Sequence, residues 1–278
     1  MYSEYQTLAE EILDRANGKH VVYIPNPGNW GDGFIRYGTK LFFEDFKIPH
    51  IEVNIAFPLG KISLTPFILP SSNKKRLIIY GGGGAWCKAY SIGMETVTFI
   101  SRFTKHFVVL PSTYEIPVRG FKGSFYRRGL SESASACRPS KFCHDMALYT
   151  ATKPQEIFIR PENKQKIGLF LRNDLESAIP QAMRASLPPG RDLSIEGDHM
   201  SCGDSFFRKV AKYESIFTDR LHVAIAGAIA GSEVHLLAGN YFKIREIYDA
   251  SLHGRFDNRV RLLDRETFIS LALNCLSA

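Results

Sequence analysis

Short, largely apolar runs of strand length alternate with turn-rich loops and helical patterns, and they do so in both halves of the chain. In the first half these runs are Val21–Ile24, Arg76–Tyr80 and His106–Leu110. The second half repeats the grammar with Lys166–Leu171, Ser215–Thr218 and Glu233–Leu237. A strand apolar at successive positions, rather than at every second one, is buried on both faces, which is the mark of a parallel sheet covered by helices. Helical spacing lies between the runs: Tyr5, Leu8, Ala9, Ile12 and Leu13 within Glu4–Ala16, a stretch from Phe34 to Phe46, a segment after Ala85, and the small-residue stretch Leu221–Ala230. The expected fold class is therefore α/β, with two Rossmann-like, doubly wound domains and a cleft between them.

A chain of 278 residues has room for two such domains. Thr152-Lys153-Pro154 and Arg160–Lys164 form a polar, proline-bearing stretch, so the boundary is expected within 152–164, with domains over 1–155 and 156–278. Apolar residues make up 45% of the chain, which excludes a disordered or fibrous protein. The apolar window Val223–Ala230 is far shorter than the roughly 18–20 residues that cross a bilayer. Ser3, Glu4, Glu10 and Glu11 leave no basic, apolar leader at the start. A cytoplasmic, soluble protein is expected.

Lys and Arg number 35 against 28 Asp and Glu, a formal charge of +7 that favours anionic partners. No block of five basic residues occurs, so nucleic acid is not expected as a partner. Five scattered cysteines without a C-x-x-C pair fit reduced thiols rather than a zinc site or a disulfide framework.

Doubly wound sheets bind ligands beyond the carboxyl ends of their strands, and that is where the chemically capable residues fall. Gly81–Gly84 follows Tyr80 directly. Gly82, Gly83 and Gly84 can bring backbone amides close to an anion, or can simply form a tight turn. Neither G-x-G-x-x-G nor G-x-x-x-x-G-K-[ST] is present, so the fingerprints of dinucleotide and P-loop binding are missing. In Gly28–Asp32, Asn29 can orient a ligand oxygen; Asp32 is either an acid–base group or a helix cap. Thr218–His222 combines a bidentate cation, Arg220, with an imidazole, His222, at a strand-to-helix junction. The structural alternative has Asp219 capping the helix, Arg220 paired with Asp219 or Glu214, and His222 buried. Arg172 and Lys243 are further cations at strand ends, and His144-Asp145 reads as interdomain structure rather than a catalytic dyad.

Taken in order, these segments resemble the polysaccharide pyruvyl transferase family. The resemblance rests on Gly28–Asp32, Gly81–Gly84, the segment from Phe125–Arg128 to His144–Tyr149, Leu169–Arg172, Thr218–His222 with its small-residue helix, and Asn240–Ile244. It spans about residues 20–250. The family's arginine-acid-serine element is blurred here into Arg127–Ser131, and the second half is short.

The resemblance implies a fold like the two-domain B-type glycosyltransferases and transfer of a pyruvyl unit from phosphoenolpyruvate to a sugar as a cyclic ketal. Arg172, Arg220 and the Leu221 backbone would hold phosphoenolpyruvate, and His222 would be the catalytic imidazole. Asn29, Gly82–Gly84 and Lys243 complete the expected substrate contacts, with Asp32 as the candidate base. No cofactor or metal is expected, because guanidinium groups can take the charge of a doubly anionic donor. The acceptor would be a saccharide, free or lipid-linked, and in the lipid-linked case the basic surface would meet the anionic face of a membrane. Two rivals share the architecture: a nucleotide-sugar glycosyltransferase, and a carbohydrate- or anion-binding module without catalysis.

Overall fold

The computed structural model describes residues 3–56, 60–68, 75–153 and 165–276. It divides into two compact units: Met1–Gly28 with Ile35–Thr152, and Asn29–Phe34 with Lys153–Ala278. The expected division at 155 leaves 29–34 with the first half; by its contacts this hexapeptide belongs to the second. Pro154 and Arg160–Lys164 of the expected linker lie outside the described residues.

In the first unit, helix α1 (Ser3–Ala16) leads into strand β1 (His20–Ile24). Helix α2 (Trp30–Asp45) follows, then β2 (His50–Glu52), β3 (Arg76–Tyr80), β4 (Gly83–Trp86), helix α3 (Ile92–Ser101), β5 (Phe107–Tyr114), β6 (Ser124–Arg127) and β7 (Lys141–Phe142). The seven strands form one parallel sheet in the order β2-β1-β3-β5-β6-β7, with β4 on β5. Its order reverses between β1 and β3, a topological switch point, where Ile24 pairs with Tyr80. The continuous apolar runs explain the burial: Val22, Ile24, Ile78, Tyr80, Val109 and Phe125 share one core cluster.

Two expectations need correction here. The strand starting at Phe107 does not end at Leu110 but runs to Tyr114, with all eight residues buried. Proline lacks a ladder donor, and Pro111 falls where the β5–β6 register shifts between Val109 and Ser112, which accommodates it. The helical segment expected after Ala85 is present but starts later than Trp86. Gly83–Trp86 pairs with β5, and the helix begins only at Ile92. Trp86 is 1% exposed and packs edge-on against Tyr80, Tyr114 and Phe125, so its burial favours the strand over helical continuation.

The second unit carries β8 (Gln165–Phe170), helix α4 (Gly203–Val210), β9 (Tyr213–Thr218), helix α5 (Leu221–Ile229), β10 (Glu233–Leu237), a short helix α6 (Lys243–Ile247), β11 (Val260–Leu263) and helix α7 (Arg265–Leu276). Its strands β8 to β11 lie side by side in chain order, all parallel. Helix α5 sits close on this sheet because its residues are small. A β-carbon on Gly227 would come within 2.8 Å of Ile216 Cδ1 and 3.0 Å of Val234 Cγ2. The segment 29–34 is held to the unit by aromatic packing. Trp30 donates its indole N–H to the Cys202 carbonyl (3.0 Å) and packs on Phe206 at 5.7 Å, with Phe34 5.5 Å from the same ring.

Among the described residues no helix is long and apolar enough to cross a membrane. No disulfide joins the five cysteines.

Candidate functional site

The carboxyl ends of β8, β9 and β10 collect the second unit's buried charges. Arg172 leaves β8, Asp219 and Arg220 leave β9, and Lys243 follows β10; these four are at most 8% exposed. Burying a cation is costly unless a carboxylate answers it, and each is answered. The Arg172 guanidinium donates to both Asp174 oxygens (2.7 and 3.1 Å) and to Glu176 Oε2. Arg220 forks onto Asp192 at 3.0 and 2.6 Å and lies 3.0 Å from Asp174. Lys243 Nζ donates to both oxygens of Glu176 at 2.7 and 2.8 Å, and the Tyr241 hydroxyl donates to Glu176 Oε1 at 2.6 Å.

The local pairings of the structural alternative therefore give way to longer-range ones. Arg220 is not paired with Asp219 or Glu214 but with Asp192 and Asp174. Asp219 does not cap α5. Its Oδ1 accepts the Arg172 backbone N–H at 2.7 Å, while Thr218 Oγ1 accepts the N–H of Arg220. The other Asp219 oxygen is buried without a hydrogen-bond partner.

Proton affinities follow these placements. Burial alone would raise the Glu176 carboxyl, but Lys243 and Arg172 bring it down to about 2. Burial would strip Arg172 of its proton, yet Asp174, Glu176 and Asp219 hold its affinity above the usual arginine value. For Asp219 burial prevails over the neighbouring guanidinium groups and pushes the carboxyl up from 3.8 to about 6.

His222 opens α5 one residue after Leu221, the helix's first residue, which is itself buried. Its ring lies against the turn that starts α2. A β-carbon on Gly31 would come within 2.6 Å of His222 Nδ1 and 2.9 Å of Asn29 Oδ1. That turn is a reciprocal cap. Asn29 Oδ1 accepts the Gly31 N–H at 2.8 Å, and Asp32 Oδ2 accepts the Asn29 N–H at 3.0 Å. Asn29 and Asp32 thus fall in the same compact unit as His222, Arg172, Arg220, Leu221 and Lys243, with the turn meeting His222.

Gly82, Gly83 and Gly84 lie in the first unit, and close backbone packing is seen at Gly82 and its neighbour Gly81. A β-carbon on Gly81 would strike the Asn26 nitrogen at 2.6 Å, one on Gly82 the Pro111 carbonyl oxygen at 2.4 Å, and Gly83 has φ +135°. Gly83 and Gly84 open β4, so no helix N-terminus follows the run directly. His144-Asp145 is first-unit structure. Asp145 takes a charged bond from buried Arg128 and the Ala147 N–H, its carbonyl accepts the Tyr5 hydroxyl, and His144 Nε2 lies 3.6 Å from Glu4. The partners just named, Arg128, Ala147, Tyr5 and Glu4, belong to that same unit.

Asp174, Glu176, Asp192 and Tyr241 were not among the expected site residues. The first two carried a signal, acids two and four positions after Arg172 in Arg172-Asn173-Asp174-Leu175-Glu176. Asp192 carried none, since it comes from a loop without periodicity. No group of three or more His, Cys, Asp or Glu able to hold a metal occurs among the described residues.

Neither a protein-family model nor a curated protein matches the chain. A crystal structure described as that of a functionally uncharacterized protein of Klebsiella pneumoniae is similar, with a TM-score of 0.72 and 21% identity. The match covers 95% of this chain and 99% of that one. At that identity the likeness establishes a shared Rossmann-like α/β fold built on parallel sheets.

Proposed function

We propose that the protein is a polysaccharide pyruvyl transferase, which moves a pyruvyl group from phosphoenolpyruvate onto a sugar as a cyclic ketal and releases phosphate. In this reading the fold follows the two-domain B-type glycosyltransferase plan. The acceptor is a saccharide, free or lipid-linked, and the protein works in the cytoplasm or at the inner membrane face.

One observation carries the reading: Arg172, Arg220, Lys243 and His222 all follow the carboxyl ends of parallel strands in one unit. A donor bearing a carboxylate and a phosphate needs several cations, and a low-dielectric surround strengthens each contact. His222 protonates C3 of phosphoenolpyruvate, leaving an oxocarbenium-like centre at C2. A sugar hydroxyl attacks C2 and gives up its proton, with Asp32 the candidate acceptor. Phosphate then leaves with its bridging oxygen, and a second hydroxyl closes the ketal and loses its proton.

The test incubates the purified chain with phosphoenolpyruvate and galactosyl, glucosyl and mannosyl acceptors, following phosphate release and the mass of the acceptor. Phosphate release matched by a pyruvyl mass gain is the expected result, abolished in His222→Ala. Turnover only with a nucleotide sugar would assign the chain to the glycosyltransferases instead. Ligand binding without any phosphate release would make it a binding module.

A further inference from the structure

The cations at this sheet end already hold anions, and two of those anions come from one short segment. Asp174 bridges Arg172 and Arg220, and Glu176 receives Arg172, Lys243 and the Tyr241 hydroxyl. The donors around Glu176 come from the end of β8 and the start of α6. Between the two acids, Leu175 is 84% exposed, and its carbonyl accepts a long 3.4 Å bond from Asn240 Nδ2. A surface segment thus presents two carboxylates to buried cations.

We infer that Arg172, Lys243 and Tyr241 form a subsite for the carboxylate or phosphate of a small dianionic ligand, and that Glu176 is its resident occupant, so ligand enters by exchange with the Asp174–Glu176 segment. The inference rests on the proposed transferase reading for the identity of the ligand. Its physics is independent of that reading. A buried cation pair cannot stand empty without a large penalty, and a carboxylate that leaves must be replaced by another anion. A tethered carboxylate competes at an effective concentration on the order of millimolar, so it weakens binding of a free ligand without abolishing it. A ligand with two anionic groups replaces both Asp174 and Glu176, whereas a monoanion replaces one. The arrangement therefore favours dianions. The depressed proton affinity of Glu176 agrees with a carboxylate held as a strong internal ligand.

The experiment uses the full chain with phosphoenolpyruvate, inorganic phosphate and acetate as probes, with no acceptor present. Calorimetry reads affinity, and hydrogen exchange reads the backbone of 173–177. Expected are binding of phosphoenolpyruvate in preference to acetate, and at least a threefold rise in exchange of 173–177 when phosphoenolpyruvate saturates the wild type. In Glu176→Gln, affinity for phosphoenolpyruvate should rise about tenfold or more. Unchanged exchange on saturation, equal or weaker binding by the variant, or no binding of phosphoenolpyruvate by either protein overturns the inference. If Glu176→Gln does not fold, the wild-type exchange result decides alone, supported by a fluorophore on Leu175→Cys whose emission should change with ligand. Segment release without phosphate production from any acceptor would leave the exchange standing and remove the transferase. Turnover with 173–177 still protected would do the reverse.

Discussion

The imidazole of His222 lies against Gly31, so closely that a β-carbon at position 31 would sit 2.6 Å from Nδ1. The contact ties the helix-opening turn at Asn29–Asp32 to the start of α5. It also gives Gly31 a reason beyond backbone freedom: any side chain there takes space that the imidazole fills. Gly31→Ala is expected to push the ring away and, if His222 acts as proposed, to reduce kcat for the proposed pyruvyl transfer about 10–100-fold, the usual cost of misplacing a reacting group by about an ångström. Steady-state kinetics with a parallel melting curve would check this. A fall in turnover no larger than the loss of folded protein would reduce Gly31 to a packing residue.

Asp219 should give stability a particular dependence on pH. Its carboxyl titrates near 6 in the folded protein against 3.8 ordinarily, because burial disfavours the charge. Between these values the folded state keeps a proton that the unfolded chain releases. Stability therefore declines as pH rises from about 4 to about 6, and the full penalty persists above 6. Asp219→Asn removes the charge while retaining an oxygen for the Arg172 N–H. Relative to wild type it should gain ~1–3 kcal/mol between pH 4.5 and pH 7.5, from about two pKa units at 1.36 kcal/mol each. Urea unfolding at both pH values measures this, and an equal difference at the two would refute the assignment.

Legibility of the sequence divides along the range of the interactions involved. Runs such as Ile78-Ile79-Tyr80 and Ile216-Phe217 announced their strands because a strand apolar at successive positions has few alternatives to a covered parallel sheet. Arg172, Arg220 and His222 were legible as neighbours of one sheet edge because the strand ends of such sheets point to one side. What covers those cations was not legible. Asp192 reaches Arg220 from 28 positions away in sequence, and no periodicity marks a loop carboxylate. The placement of 29–34 likewise turns on Trp30 meeting Phe206 and Cys202, a contact some 170 residues distant that no local pattern encodes. The glycine run was legible as an anion-approaching loop or a tight turn, but that Gly82 lies against Pro111 depended on where a distant strand passes.

Gly82 supplies a test of that last point. Its missing side chain admits the Pro111 carbonyl oxygen, which a β-carbon would approach to 2.4 Å, and backbone on both sides leaves little room to yield. Gly82→Ala should cost ~1–3 kcal/mol of stability, as overpacked sites generally do. Chemical denaturation monitored through Trp86, buried nearby in β4, would report it. A variant as stable as wild type would show that β4 and β5 can separate, and would return the run to consideration as a ligand loop.

Asp32 has two readings that one pair of variants separates. As a cap, its carboxylate accepts the Asn29 N–H while Asn29 accepts that of Gly31, and each bond stabilises the first turn of α2. As a base, it would take the proton of the attacking sugar hydroxyl, a role contributing about 10²–10⁴-fold to rate. Asn29→Ala deletes a cap acceptor outright and should cost about 1 kcal/mol. Asp32→Asn keeps a side-chain oxygen for the Asn29 N–H, so its stability should change by only a few tenths of that, but it has no basic carboxylate. If Asp32 is the base, Asp32→Asn loses at least ~100-fold in kcat and the acidic limb of the pH–rate profile disappears. If it only caps, the profile keeps its shape and the rate follows the folded fraction. The pH profile decides, because a change in helix stability alone has no means of removing a titration from the rate.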